Sequence, residues 1–259
     1  MTQLVYVSAF LDIGRKDWKQ FKRTYSDYLN CFQHILNLFL NSSTEKFKLI
    51  LFLDDTYSIN INHPNISIVY INEDFMDTLP LWKRLNRERY VLNSKIYKET
   101  FKERLCYPEN SNAKYTLINH CKIDFVCKAM EYIDSEYYCW VDFGYCKNIE
   151  NIPQTFLDIE KLDKNKINFS LINPLDEKDN DIMYTMLNAP EKFGGFFFFG
   201  SKSNLIRYQR LYHCIHYKFQ ENYFVDDDQH LALRCYFQNI NLFKLHILGW
   251  HKALKHFQL

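Results

Sequence analysis

Short apolar segments with the length of buried strands recur along this chain, and stretches with helical periodicity separate them. The strand-like segments are 4–10, 47–53, 66–71, 137–141, 167–172 and 193–199. Between the first two, apolar residues recur at the spacing of one helix face, which predicts a helix over 26–40. Strands that alternate with helices are typical of a mostly parallel sheet with helices on both faces. The sequence therefore predicts a single α/β domain over residues 1–259.

Further helices are predicted at 81–105, 114–133 and 204–219, and another opens at the acidic run 226–228. Acidic residues suit the start of a helix because they complement its dipole and its free amide groups. The chain has only six glycines, and all of them are expected at turns beside strand ends. This placement predicts a cleft built from the ends of strands.

Composition and charge indicate which partners, cysteine states and cellular locations this protein can have. The 32 basic and 31 acidic residues give a net charge of +1, which argues against a duplex nucleic-acid partner. The eight cysteines form no CxxC pair and no zinc-ribbon spacing, so free thiols are expected. The start of the chain has no basic leader and no apolar run approaches a membrane span, which predicts a cytoplasmic protein. The basic stretch 83–104 is either a solvated helix face or a peripheral contact with the cytoplasmic face of the inner membrane.

One strand ends in a candidate metal ligand. The apolar run 137–141 leads directly into Asp142, and Gly144 follows two positions later. Open α/β sheets bind ligands at the carboxyl ends of strands, and Mg²⁺ or Mn²⁺ prefers oxygen ligands together with substrate phosphates. Asp142 could hold such an ion, and Gly144 could let a phosphate approach the backbone; the pair is equally compatible with an ordinary turn. No Walker A, GxGxxG or GxSxG motif is present, which argues against those nucleotide-binding and hydrolase classes.

Four motifs in order carry a resemblance to a known family. They are Ser8–Arg15 (SAFLDIGR), Trp140–Tyr145 (WVDFGY), Gly194–Ser201 (GGFFFFGS) and Asp226–Gln229 (DDDQ). Together they resemble the bacterial HtrL/YibB-type family, from about residue 4 to about residue 250. That family is similar to a branch of the GT-A glycosyltransferases and is associated with surface polysaccharide and lipopolysaccharide gene sets. The resemblance therefore implies a GT-A-like fold.

The resemblance also implies a donor site. The residues implied at the nucleotide are Ala9, Phe10, Asp12 and Arg15. Asp54 or Asp55 completes this pocket or caps a turn. Lys122 is implied at the diphosphate and Asp124 at a sugar hydroxyl.

The implied metal site is centred on Asp142, which matches one acid of the GT-A Asp-x-Asp motif. Gly144 stands at the partner position, so the motif is incomplete. Either Asp142 suffices together with water and the diphosphate, or His246 or His251 completes the shell. The expected ion is Mn²⁺ or Mg²⁺.

The two remaining motifs are implied around the transferred sugar. Gly194 and Gly195 would form the floor beneath it, with a buried strand as the simpler interpretation. Asp227 or Asp228 would contact the sugar or take the proton of the acceptor hydroxyl. Helix capping needs only one of the three aspartates 226–228 and leaves two unexplained.

The sequence thus predicts a glycosyltransferase that moves a sugar from a nucleotide donor, expected to be a UDP-sugar, to a hydroxyl of a lipopolysaccharide, capsule or other surface glycan. Two alternatives stay open. One is a metal-dependent phosphoester hydrolase that uses Asp142 with the acidic run 226–228. The other is a non-catalytic glycan-binding module on a degenerate transferase fold, which the missing second metal acid favours.

Overall fold

The computed structural model describes residues 3–259 and contains a central seven-stranded sheet. Its strands are β1 (Leu4–Phe10), β2 (Phe47–Asp54), β3 (Ile66–Ile71), β4 (Tyr137–Val141), β5 (Ile167–Leu171), β6 (Phe193–Ser201) and β7 (Phe243–Ile247). They lie in the order β3-β2-β1-β4-β6-β5-β7. Neighbouring strands are parallel except that β6 runs antiparallel to both β4 and β5. The predicted α/β class with a mostly parallel mixed sheet is confirmed.

The α-helices are α1 (Tyr25–Leu40), α2 (Glu73–Met76), α3 (Leu85–Asn93), α4 (Lys95–Thr100), α5 (Ala113–His120), α6 (Lys122–Ala129), α7 (Ile182–Asn188), α8 (Lys202–Glu221), α9 (Asp228–Gln238) and α10 (Ala253–His256). No helix within residues 3–259 combines the length and the apolar character needed to cross a membrane.

Both faces of the sheet are buried, and alternate residues of a strand pack in two separate cores. Leu4 and Tyr6 of β1 pack in the core that α1 and α10 cover. Val5 and Val7 point to the opposite core, which α3, α5, α6, α8 and α9 cover. Because successive side chains of a strand point to opposite faces, continuous apolar strands fit a sheet covered on both sides.

Two predicted long helices are each divided in two. The stretch 81–105 forms α3 and α4 because Ser94 takes an extended conformation, with ψ of 146°, and caps α4 through the Tyr97 amide. The stretch 114–133 forms α5 and α6, with Cys121 between them. The division separates the helix that carries His120 from the helix that carries Lys122.

The prediction that every glycine lies at a turn is wrong. Gly194, Gly195 and Gly200 lie inside β6. A side chain at Gly195 would overlap the Asp228 carboxylate, and a Cβ at Gly200 would lie 2.8 Å from Ile167 Cδ1. Close packing against the strand, rather than a turn, therefore explains these glycines.

The strand order creates a crevice at one point of the sheet. From β1 the chain adds β2 and β3 on one side and then places β4 on the other side of β1. The connections after β1 and β4 therefore diverge at the carboxyl ends of these two strands. Open α/β sheets bind ligands at such a switch point.

Candidate functional site

A cleft lies at this switch point, between the segments that follow β1 and β4. The sequence-predicted residues that line it are Ala9, Phe10, Asp12, Arg15, Lys122, Asp142 and Gly144. They come from parts of the chain more than a hundred residues apart, and the parallel arrangement of β1 and β4 brings them together. The cleft is therefore the candidate functional site.

Lys122 connects the acidic groups at the base of the cleft. Its Nζ lies 2.9 Å from Asp228 Oδ2, 3.2 Å from Asp142 Oδ1 and 3.0 Å from the Gly195 carbonyl oxygen. Lys122 is the first residue of α6, so the short turn after α5 aims its side chain at the end of β4. Strands β4 and β6 and helices α6 and α9 thus meet at one ammonium group.

The electrostatics of this group follow from its burial. Burial disfavours the charged Lys122, but the Asp142 and Asp228 carboxylates outweigh that effect and hold its pKa above the usual range. Burial is also the main reason that the pKa of Asp228 rises to about 6, with Lys122 opposing the rise. Near neutral pH, Asp228 is therefore a carboxylate close to its titration point, which suits a group that accepts a proton.

Asp142 presents a carboxylate to the cleft. Its Oδ1 accepts a hydrogen bond of 2.6 Å from Trp140 Nε1, and its amide donates to the Phe196 carbonyl at 3.0 Å. Within residues 3–259, Oδ2 has no hydrogen-bond partner, and 31% of the side chain is exposed. Trp140 and Lys122 thus fix the carboxylate and leave one oxygen for a ligand. A divalent ion bound mainly by a diphosphate fits this donor set.

The loop after β1 is held by a second acidic network. Asp54 Oδ2 accepts from the Asp12 amide at 2.9 Å, and Asp54 Oδ1 accepts from the Thr56 hydroxyl at 2.6 Å. Asp12 in turn accepts from the Gly14 amide at 2.7 Å and from the Tyr57 hydroxyl. Asp54 therefore does not line the cleft but fixes the loop that does. Asp55, the alternative in the sequence, is exposed.

Arg15 lies among aromatic rings at the cleft mouth. Its guanidinium is 5.2 Å from the Trp18 ring centroid and 5.3 Å from that of Tyr115, and it donates to the Tyr28 hydroxyl. The Tyr28 ring also packs on Gly144, where a Cβ would lie 3.1 Å from Tyr28 Cδ1. The small residue at 144 thus has a packing reason independent of phosphate.

Sequence reasoning missed several cleft residues. Arg23, Lys147 and Lys16 add positive charge, and Tyr28 and Tyr115 add aromatic surface. None stands in a spacing motif, because they come from separate loops and helices. Because the net charge of the chain is close to zero, nothing in the sequence indicated that these basic residues would cluster at one site. The resulting wall is suited to an anion that carries an aromatic ring.

The three aspartates 226–228 at the start of α9 have different partners. Asp226 Oδ2 lies 2.9 Å from His230 Nδ1, and Asp227 caps α9 by accepting from the His230 amide at 2.9 Å. Asp228 lies at Lys122, behind the cleft. Capping thus accounts for Asp227, and Asp228 is the aspartate that pairs with Lys122 at the base of the cleft. Gly195 contributes its carbonyl to the same ammonium group, and Gly194 lies beside it in β6 away from the cleft lining.

Asp124 lies away from the cleft, so its proposed place at the donor is wrong. Its buried carboxylate accepts from the Leu81 amide at 3.0 Å and from Gln209 Nε2 at 2.8 Å, and it pairs with His213 Nε2 at 2.6 Å. Because residues two apart on a helix point about 200° apart, Lys122 and Asp124 cannot face the same ligand.

The two candidate histidines have different positions. His246 of β7 pairs with Asn168 Oδ1 at 2.9 Å and packs on Phe257, so it is not brought to Asp142. His251 stacks on Phe196, with ring centroids 4.5 Å apart. Burial lowers the pKa of His251 to about 4, and Asp142 is close enough to oppose that shift. A neutral imidazole near Asp142 is a form that can bind a metal.

Comparison with known proteins supports the resemblance found in the sequence. A family model described as "Bacterial protein of unknown function (HtrL_YibB)" matches residues 2–259. No curated protein matches the chain. The match spans the whole sheet and every element of the cleft, and the chain therefore belongs to the HtrL/YibB family of bacterial proteins.

Proposed function

We propose that the protein is a GT-A-like glycosyltransferase that moves a sugar from a nucleotide-sugar, taken to be a UDP-sugar, to a hydroxyl of a surface glycan such as lipopolysaccharide or capsule. The observation that carries the proposal is the cleft at the switch point between β1 and β4, with Asp142 and Lys122 at its base. A carboxylate, an ammonium and a basic aromatic wall together match a donor that contains a base, a diphosphate and a sugar.

The donor would lie along the cleft. In this proposal the loop held by Asp12 and Asp54 receives the base and ribose, and Arg15 lies near the phosphates. Phe10 at the end of β1 is surrounded by aromatic rings, with centroid distances of 5.1 Å to Tyr25 and 5.2 Å to Phe143. This packing makes the floor of the nucleotide site rigid, which lowers the entropic cost of binding.

A divalent ion at Asp142 supplies charge for the departing diphosphate when it is bound. Asp142 Oδ2 and the neutral ring of His251 are the groups that would hold Mn²⁺ or Mg²⁺. Lys122 remains paired to Asp142 Oδ1 and Asp228, so it keeps both carboxylates in place and adds a second positive charge near the diphosphate.

Asp228 is the proposed proton acceptor. The pKa of Asp228 is raised to about 6 by burial, so at neutral pH it is ionised and still basic enough to take a proton from an acceptor hydroxyl. Asp227 is the weaker candidate because one of its oxygens caps α9.

The test is release of UDP from a panel of UDP-sugars, with and without acceptor glycan and with Mn²⁺ or excess chelator. A transferase releases UDP in an acceptor-dependent, metal-dependent manner, and Asp142→Ala abolishes the release. The exposed variant Asp55→Ala is the matched control and keeps full activity. Turnover that is indifferent to Asp142→Ala and to chelator contradicts the proposal.

The same assay distinguishes the two alternatives. A phosphoester hydrolase would release product regardless of acceptor. Such an enzyme commonly uses a pair of metal ions, which requires several carboxylates and histidines at the site. Within residues 3–259, the groups of three candidate ligands lie elsewhere, not at Asp142. The ion pair of Lys122 with Asp142 is the observation that favours a glycan-binding module, because an ammonium already neutralises the carboxylate. Glycan binding without any metal-dependent binding of UDP-sugars would support that module.

A further inference from the structure

A second group of ligand-type side chains is buried between helices, away from the cleft lining. It consists of Glu88 of α3, His120 at the end of α5 and His216 of α8, each at most 2% exposed. One ligand atom from each residue lies within 4.8 Å of the others. His216 Nε2 and Glu88 Oε2 are 3.6 Å apart, too far for a good hydrogen bond.

This group has polar atoms without partners. Glu88 Oε1 and both ring nitrogens of His216 are buried and have no hydrogen-bond partner within residues 3–259. Buried polar groups in folded proteins are nearly always paired, so an unpaired set of this kind indicates a bound species that supplies the missing partner. His216 Nε2 faces the Glu88 carboxylate, so one species between the two side chains can partner that ring nitrogen and the carboxylate together.

We propose that Glu88, His120 and His216 bind a zinc ion that cross-links α3, α5 and α8. Two imidazoles and a carboxylate are a common zinc ligand set. Two ligands with bonds of about 2.1 Å around a tetrahedral ion are about 3.4 Å apart, close to the 3.6 Å between His216 Nε2 and Glu88 Oε2. The burial of all three ligands assigns the ion a structural role, with the fourth coordination position left to a ligand other than these three residues.

The surroundings provide the outer contacts that such a site needs. His120 Nε2 lies 3.0 Å from the Asp226 carbonyl oxygen, and a metal-binding histidine normally donates its other ring N–H to such an acceptor. His120 Nδ1 pairs with the Tyr212 hydroxyl at 2.7 Å, and the ion replaces this hydrogen bond. Gln220 Nε2 donates to Glu88 Oε2 and fixes the carboxylate.

The charge state of the group also suits a metal. Burial lowers the pKa of His120 to about 4 and that of His216 well below its usual value, so both rings are neutral at physiological pH. Burial raises the pKa of Glu88 to about 7, and Gln220, Thr116 and the cation Arg84 oppose that rise without giving the buried carboxylate full compensation. A divalent ion supplies that compensation.

Another group of potential metal ligands in residues 3–259 differs in the charge of its histidine. Asp226, Asp227 and His230 also lie within ligand distance of one another. There, the two carboxylates outweigh burial and raise the pKa of His230 to about 10, so the ring is a cation that pairs with both aspartates. His230 already supplies the cation of that cluster, which therefore carries no metal proposal.

The experiment is metal analysis of protein expressed without a polyhistidine tag, supplied with zinc and dialysed against a weak chelator. We expect about one zinc ion per chain in the wild type, retained in Asp142→Ala, which keeps this site distinct from the cleft. Glu88→Gln and His216→Gln are expected to lose the zinc. The exposed residues give matched controls, Glu99→Gln and His256→Gln, which are expected to keep it.

X-ray absorption at the zinc edge keeps the test decisive if a variant fails to fold. The wild-type spectrum should show imidazole scattering and only nitrogen and oxygen ligands, since no cysteine belongs to the group. Folded wild-type protein with far less than one zinc ion per chain would overturn the proposal. Sulfur ligands, or zinc retained by both His216→Gln and Glu88→Gln, would overturn it as well.

Discussion

Replacing Lys122 by methionine tests the centre of the site without assuming a function. The substitution keeps most of the apolar stem and removes the ammonium group. The structure then loses the contacts of Nζ to Asp228 at 2.9 Å, to Asp142 at 3.2 Å and to the Gly195 carbonyl at 3.0 Å. Two carboxylates, one of them buried, remain without their cation.

The expected loss of stability is large. Removing one partner of a buried ion pair costs about 3–5 kcal/mol, because the other charge stays buried and unpaired. With a urea m value of about 3 kcal/mol per molar, the unfolding midpoint should fall by about 1–1.7 M at pH 7.5. Lys95→Met is the matched control. Lys95 forms a pair with Glu99 whose side chains are 86% and 67% exposed, so the midpoint should barely move.

The pH dependence gives the sharper test. Burial raises the pKa of Asp228 to about 6 in the folded protein, and Lys122 opposes that rise, so the variant should have a still higher value. A carboxyl with a raised folded pKa binds its proton more tightly when folded, and stability therefore falls as the pH rises through that pKa. The deficit of Lys122→Met should thus be largest above neutral pH and shrink at pH 5. Urea unfolding curves at both pH values measure it, and a variant as stable as wild type at pH 7.5 refutes the reasoning.

Three further perturbations follow from the same contacts. Gly195→Ala should lower the thermal midpoint, because the new Cβ overlaps the Asp228 carboxylate; adding Asp228→Ala should relieve the overlap, and purely additive effects would contradict this. Asp54→Ala should cost about 1–3 kcal/mol, since it leaves the Asp12 amide after β1 and the Thr56 amide after β2 without an acceptor, whereas the exposed Asp55→Ala should be neutral in the same urea titration. The pKa of His230 is raised to about 10, so its contribution to stability is complete below pH 6.5 and disappears as the pH rises through 10. His230→Gln should flatten that decline in the unfolding free energy, and an unchanged slope would argue against the ion pair.

The sequence predicted those parts of the fold that follow from local pattern. The predicted β1, β2 and β3 segments match the observed strands within one residue, and the α1 prediction begins one residue late. Strand β7 was not predicted, because residues 243–247 mix apolar and polar side chains at the sheet edge and leave only Phe243 buried. The long helices were predicted as unbroken because a single extended residue such as Ser94 leaves no periodic signal.

The sequence could predict a site residue where the end of a strand or a motif determines the position of its side chain. Asp142 and Lys122 fall in the cleft because β4 and α6 place them there. Asp124 did not, since helical geometry turns it to the opposite side, toward His213. The choice between His246 and His251 depended on the path of the chain after β7, where Gly249 has a φ of 76°. The buried group around Glu88 has no sequence signal, because its members come from three separate helices.

The central claim is that the cleft between β1 and β4 binds a nucleotide-sugar through Asp142 and a divalent ion. Isothermal titration of UDP and UDP-sugars, in Mn²⁺ and in excess chelator, measures this directly on the wild type and on Asp142→Ala. We expect saturable binding of at least one UDP-sugar to the wild type in Mn²⁺, with loss of that binding in chelator and in Asp142→Ala. The account is contradicted if no nucleotide-sugar binds the folded wild type, or if binding persists unchanged without the metal and without the Asp142 carboxylate.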